Sequence, residues 1–344
     1  MKKILIAEAA ALVLLVVVAL FIRAGINGSQ GDPGESTLGS QDTIEVMNPG
    51  TQGTEATQPT ETQPPPTETT APEPTLPWFG IPENLELTSR HCFIYDCTTQ
   101  TLEMLTGDAD DRIYPASVTK LLTALVVLKY MDADTVVTAG DELEFVAWDA
   151  SIAGLTKGDR QTVETLIAGM LLPSGNDAAY VLAAATGRVL AENPNLTPRE
   201  AVNVFMDQVN VEAEAMGLTG THFVVPDGYH DDNHYTTPRD LVVIGAKCLE
   251  NALIRKYAAK SSMPITLQDG TNRVWRNSNL LTHPESEFYC ASAVGLKTGY
   301  TSNAGRCLLA AFDCGESLVI IGVFGAEERE TSFREALLIH KICR

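Results

Sequence analysis

A serine and a lysine stand one helical turn apart in Pro115-Ala116-Ser117-Val118-Thr119-Lys120, at the entrance to an almost wholly apolar stretch. Residues three apart on a helix share a face, so the Lys120 amine can reach the Ser117 hydroxyl. A hydroxyl is a weak nucleophile until a base takes its proton. Lysine can be that base near neutral pH only if burial lowers its pKa a few units from about 10.4. The apolar helix and the positive end of its dipole both push that way. Ser174-Gly175-Asn176, in a break between two helical stretches, offers a hydroxyl to relay a proton and an amide to hold a substrate amide. Lys297-Thr298-Gly299 offers a cation and a hydroxyl to a carboxylate, with Gly299 leaving room for close backbone approach. Taken singly, each stretch has an ordinary reading: a helix-start serine beside a snorkelling lysine, a turn with an N-cap, and the end of a surface strand.

Other chemistries lack their residues. The chain contains no Gly-x-Ser-x-Gly elbow, no Walker loop and no dinucleotide fingerprint, so no cofactor is expected. His230 and His234 have the i,i+4 spacing of a metal pair, but their segment is loop-like and lacks a glutamate base. An ordinary polar loop is the expectation there, with no metal.

The elements that must position these residues follow from periodicity. His91–Asp96 and Leu102–Leu105 alternate like a short hairpin. Val118–Met131 is apolar almost all round and reads as a helix at a domain centre. Thr162–Leu172 and Asn176–Ala185 read as two helices broken by Pro173-Ser174-Gly175. Pro198–Met216 follows with Gly217 as its stop, Phe223–Thr237 reads as loop, and Pro238–Cys248 resumes helix. Ser292–Lys297, Cys307–Phe312 and Leu318–Phe324 read as strands, and Glu328–Ile342 as a closing helix. Strands first and last, with helices between, imply an antiparallel sheet whose chain ends meet around a large helical insertion.

Composition divides the chain of 344 residues into three parts. Residues 1–26 hold an apolar run from Ile4 to Ile22, broken only by Glu8, behind Lys2 and Lys3. That run suits a membrane anchor, with a cleaved signal peptide as the alternative; either way the rest is exported. Residues 27–78 carry eight carboxylates, no Lys or Arg, and nine of the eighteen prolines, so a disordered tether is expected. Residues 79–344 form the body. A net charge of -20 leaves no cationic footprint for nucleic acid. The seven cysteines show no zinc spacing, and their redox state stays open.

Together and in this order, the three stretches resemble the serine D-alanyl-D-alanine carboxypeptidases, the low-molecular-mass penicillin-binding proteins. The resemblance continues through Gly217-Leu218-Thr219-Gly220-Thr221-His222-Phe223 and His234-Tyr235-Thr236-Thr237-Pro238-Arg239-Asp240-Leu241, and covers about residues 88–343. It implies an α+β fold of a five-stranded antiparallel sheet with flanking helices and a helical subdomain at about 116–260. It implies that Ser117 attacks the bond between two terminal D-alanines, with Lys120 as base and Ser174 returning the proton. Asn176 would hold the substrate amide, and Lys297 and Thr298 the terminal carboxylate, with Arg334 as a further candidate. Backbone N–H groups of Ser117 and Tyr300 would form the oxyanion hole. The implied partners are peptidoglycan stem peptides ending in D-Ala-D-Ala and β-lactams as covalent inhibitors, at the outer face of a bacterial membrane.

This sequence departs from the family pattern at Val225-Pro226-Asp227-Gly228-Tyr229, where many members carry Asn-Pro-x-Gly-Leu. DD-endopeptidase action on cross-links is the nearest alternative. A β-lactamase would want a water-activating Glu-x-x-Leu-Asn, which is missing, and a non-turnover binding module would not need an intact Ser117, Lys120, Ser174 and Lys297.

Overall fold

Strict alternation builds the central sheet. In β1 (His91–Asp96), β8 (Gly305–Asp313) and β9 (Leu318–Ala326), apolar side chains occupy both parities, as a sheet covered on both faces requires. Cys92, Ile94, Leu308, Ala310, Phe312, Val319, Ile321 and Val323 face one core, closed by α7 (Arg329–His340) through Phe333, Ala336 and Ile339. Phe93, Leu309, Ala311, Ile320 and Phe324 face the larger core, which the other helices fill. With β2 (Thr101–Thr106) and β7 (Ala293–Thr301), the strands form a five-stranded antiparallel sheet in the order β2-β1-β9-β8-β7. The first and last parts of the body thus meet where β1 pairs with β9, and β7 is left as an edge strand.

This is the computed structural model of the chain, and it describes residues 80–82, 85–267 and 270–343. The expected membrane segment, 1–26, and the tether, 27–78, lie outside the described residues. Among the described residues no helix is long and apolar enough to cross a membrane.

Between the strands run α1 (Lys120–Tyr130), α2 (Val163–Leu171), α3 (Asn176–Leu190), α4 (Pro198–Ala215), α5 (Pro238–Glu250) and α6 (Ala252–Ala258). Their starts are written locally. Thr162 and Thr237 cap α2 and α5, and Thr197 with Glu200 forms a capping box on α4, with Pro198 at its first position. The apolar stretch expected as one helix from Val118 begins instead as a 3-10 turn, Ala116–Thr119, and turns α-helical at Lys120. Two small ladders escape the periodicity. β3 (Val136–Thr138) pairs with β4 (Arg160–Thr162), and β5 (Ser262–Thr266) pairs with β6 (Asn272–Arg276), which buries only Trp275. Strand β7 also runs four residues past Lys297, so the third motif lies inside an edge strand.

Helices α3 and α4 cross in backbone contact at Gly187. A Cβ there would lie 1.8 Å from the Ala201 carbonyl oxygen, an atom of backbone that cannot swing aside. Gly187→Ala should therefore destabilise the fold by about 3 kcal/mol. Urea unfolding would check this, and an unshifted midpoint would refute the close crossing.

Candidate active site

Ser117 sits in the 3-10 turn directly before α1, and the turn is held under strain. Ala116 adopts φ +48°, a left-handed conformation costly for any residue with a Cβ. Three neighbours hold it there. Thr119 Oγ1 donates 2.8 Å to the Ala116 carbonyl and takes a 2.7 Å bond from His234 Nε2, whose Nδ1 accepts from the Val224 N–H. Gly228, at φ +78°, packs so closely that a Cβ would lie 1.9 Å from the Ala116 oxygen. On the β7 side, a Cβ on Gly299 would lie 2.8 Å from the Ser117 nitrogen. The nucleophile candidate is thus clamped between a turn and an edge strand, both of which need glycine.

Lys120 is wholly buried. Its Nζ donates 2.7 Å to Ser117 Oγ, 2.8 Å to Asn176 Oδ1 and 2.7 Å to the Asp227 carbonyl. Those three bonds use all its protons. Burial lowers its pKa to about 8, partly opposed by the carboxylates of Asp227 and Asp177. The Asp227 carboxyl is itself pushed up by burial, and the Lys120 charge pulls it back. At this pKa a substantial fraction of Lys120 is neutral near physiological pH. The bond to Ser117 then reverses, with Oγ–H donating to the amine, as a general base requires.

Ser174 and Asn176 come from the break between α2 and α3. Ser174 has φ +63°, a second strained residue, and its hydroxyl lines the cleft without a hydrogen bond to any described residue. Asn176 has Oδ1 engaged by Lys120 and donates 2.5 Å from Nδ2 to Asp227 Oδ2, leaving one Nδ2 hydrogen for a ligand. Lys297, 1% exposed, donates to Ser278 Oγ at 3.3 Å and to the Thr298 carbonyl at 2.9 Å. No carboxylate among the described residues pairs with it. Burial and then the Lys120 charge hold its pKa well below the usual lysine value. Thr298 Oγ1 shares a 2.5 Å bond with Ser278 Oγ.

These groups open on a cleft of roughly 730 Å³ lined by Ser117, Ser174, Asn176, Thr298 and Tyr300 among others. The N–H groups at the start of a helical turn have no partner within it, so Ser117 N–H and the β7 edge at Tyr300 can both serve an oxyanion. Arg334 does not join them. On α7 the cleft face is carried by Arg329, Ser332 and Phe333, and one further residue turns about 100° away. Arg334 lies exposed, 6.0 Å from the Phe288 ring, while Arg329 donates 3.1 Å to the Ser278 carbonyl. His230 and His234 have different surroundings. His234 is buried against Phe223 and its pKa falls to about 3 through burial, whereas His230 is half-buried on the cleft lining, edge-on to Tyr114, with its Nε2 3.3 Å from the exposed Asp232. Among the described residues no group of three or more His, Cys, Asp or Glu could hold a metal.

Three contributors were missing from the sequence expectations: Asp227, Ser278 and Arg329. Asp227 had a signal, since its segment departs from the expected pattern. Ser278 had none, because its partners lie on a strand about twenty residues away.

A family model described as D-alanyl-D-alanine carboxypeptidase matches residues 80–328. The D-alanyl-D-alanine carboxypeptidase of Streptomyces sp. strain K15 is 34% identical over 226 residues, covering 63% of this chain and 74% of that one. DacF of Bacillus subtilis strain 168, also named a D-alanyl-D-alanine carboxypeptidase, is 29% identical over 225 residues, covering 64% of this chain and 53% of that one. The chain therefore spans about three quarters of the first relative's length and about half of the second's. The crystal structure of the Streptomyces K15 DD-transpeptidase superposes with a TM-score of 0.66 at 30% identity, covering 75% of this chain and 97% of that one.

If Lys120 is the base, the rate at which an activated ester acylates Ser117 should rise about tenfold per pH unit below about 8 and level off above it. Asp227→Asn removes a carboxylate that favours the ammonium, so the midpoint should move to lower pH. Mass spectrometry of the acylated protein gives both curves. A midpoint that stays put would show that Lys120 does not feel Asp227.

Proposed function

This chain belongs to the D-alanyl-D-alanine carboxypeptidase family of serine hydrolases, and from that premise we propose that it removes the terminal D-alanine from peptidoglycan stem peptides ending in D-Ala-D-Ala, through an acyl-enzyme on Ser117. The family works on the bacterial cell wall, outside the cytoplasm. The observation that carries the proposal is Lys297, a buried amine with two neutral acceptors and no carboxylate partner among the described residues. Such a group is costly to hold charged until an anion arrives, and a peptide's terminal carboxylate supplies one.

With that carboxylate on Lys297, Thr298 and Arg329, the scissile carbonyl falls to Ser117. Ser117 Oγ forms the new C–O bond as Lys120 takes its proton, and the carbonyl oxygen charges up beside the N–H groups of Ser117 and Tyr300. Collapse breaks the C–N bond, and the departing amine takes a proton from Lys120 through the free hydroxyl of Ser174. Water then repeats the sequence on the ester and releases the shortened peptide. Asn176 and the Asp227 carbonyl hold Lys120 in place throughout. A β-lactam presents an acyl group and a carboxylate in a similar relation, so it is expected to acylate the same serine. The apolar run Ile4–Ile22 supports a membrane-held enzyme acting outside the cell.

Ser117→Ala should abolish D-alanine release from a D-Ala-D-Ala peptide. Lys297→Met should lower kcat/KM on that peptide by roughly 10- to 100-fold, the scale of a lost charged hydrogen bond. On the same peptide ending in a carboxamide, parent and Lys297→Met should differ little. An equal loss on both peptides would mean that Lys297 does not read the carboxylate.

A further inference from the structure

Charge is divided unevenly across the cleft. One wall, built from β7, β8 and the start of α7, brings the Lys297 amine, Arg306 and Arg329 to the site, whereas the wall made by residues 149–151 and 228–230 carries the Asp149 carboxylate. Asp149 accepts a 3.1 Å hydrogen bond from the Tyr229 hydroxyl and has no cationic partner among the described residues.

This second wall is fixed in place. Asp177 accepts 2.8–2.9 Å bonds from the N–H groups of Ala153, Gly154 and Leu155. The Ser151 carbonyl takes the Asn176 N–H, and the Ala153 carbonyl takes Trp275 Nε1. On the other segment, Tyr229 N–H donates to Asp227 Oδ1, and the Asp227 carbonyl holds Lys120. Asp149 is therefore tied through Tyr229 and Asp227 to the base of the reaction, and it differs in this from a loose surface acid. Trp148 stands 95% exposed next to it, an uncovered ring that an alkylammonium chain can lie against.

A substrate whose leaving-group carboxylate rests on the cationic wall must carry its acyl portion past Ser117 toward the remaining lining. We infer that Asp149 and Tyr229 form a subsite for a cationic side chain on the acyl side of the scissile bond, so that peptides bearing a free ammonium there are preferred. The inference rests on the carboxypeptidase reading and names which stem peptides that reaction selects. Among the described residues the Tyr229 hydroxyl is the group bonded to Asp149 and no cation pairs with that carboxylate; the titratable neighbour on this wall, His230, has its Nε2 3.3 Å from Asp232. Tyr229 acts as a positioning residue, orienting the carboxylate through its hydroxyl.

Two peptides test this, both N-acetyl-L-lysyl-D-Ala-D-Ala, one with a free ε-amino group and one with that amine acetylated. The parent enzyme should prefer the free amine roughly three- to tenfold in kcat/KM, the scale of a partly exposed ion pair, and the preference should shrink with added salt. Asp149→Asn should bring the ratio close to one, and Asp149→Lys should invert it. Equal turnover of the two peptides by the parent, or a preference that survives in Asp149→Asn, would overturn the subsite while leaving the carboxypeptidase standing. Release of D-alanine from neither peptide would instead overturn the reading beneath it.

Discussion

The site depends on one buried amine having exactly as many acceptors as it has protons when charged. Lys120 is shut away from water, and a shift from 10.5 to about 8 means its charged form is disfavoured by about 3 kcal/mol relative to water. Three acceptors from three parts of the chain, Ser117, Asn176 and the Asp227 carbonyl, keep that cost from being larger. Removing a carboxylate partner from the immediate shell, and using amide and carbonyl oxygens instead, leaves the amine close to neutrality. The rest of the fold can be understood as the apparatus that brings those three acceptors to one nitrogen.

Strain follows from that requirement. Ala116 and Ser174 both take left-handed backbone conformations, each costing on the order of 1–3 kcal/mol, and both flank the nucleophile's neighbourhood. What holds Ala116 is a sequence of contacts that runs from the Val224 N–H through His234 and Thr119 to its carbonyl. His234 can fill this place because burial keeps it neutral, with one ring nitrogen accepting and the other donating. Lys297 presents a similar problem near Ser117: among the described residues it has only neutral acceptors, and in the proposed reaction the substrate carboxylate would supply its counter-charge. The net charge of -20 says little about either lysine, since both sit where bulk charge is not felt as a surface average.

Much of this was legible from residues close in sequence. The Ser117–Lys120 contact follows from one turn of helix, and the caps at Thr162, Thr197 and Thr237 follow from residue type and spacing. Short apolar runs bounded by turn residues marked β1, β8 and β9 as strands. What stayed hidden depended on distant parts of the chain. Lys120 and Asp227 lie 107 residues apart, and no local pattern announces that a backbone carbonyl will complete an ammonium's shell. Strand β6 shows one buried residue in five, too few for alternation to register, yet it delivers Ser278 to Lys297 and Thr298. On α7 it is Arg329 that lines the cleft, while Arg334, five residues on, does not, because five residues of helix turn a side chain to another face.

The central claim, that Lys120 is poised near neutrality, can be read without turnover. Chemical shifts of ε-13C-labelled lysines, followed against pH in the folded protein and assigned with Lys120→Arg, report each ammonium directly. The account expects the Lys120 resonance to titrate near pH 8, more than two units below the exposed lysines. A Lys120 that stays protonated to pH 10 would contradict it, because the serine would then have no base where the fold has placed one.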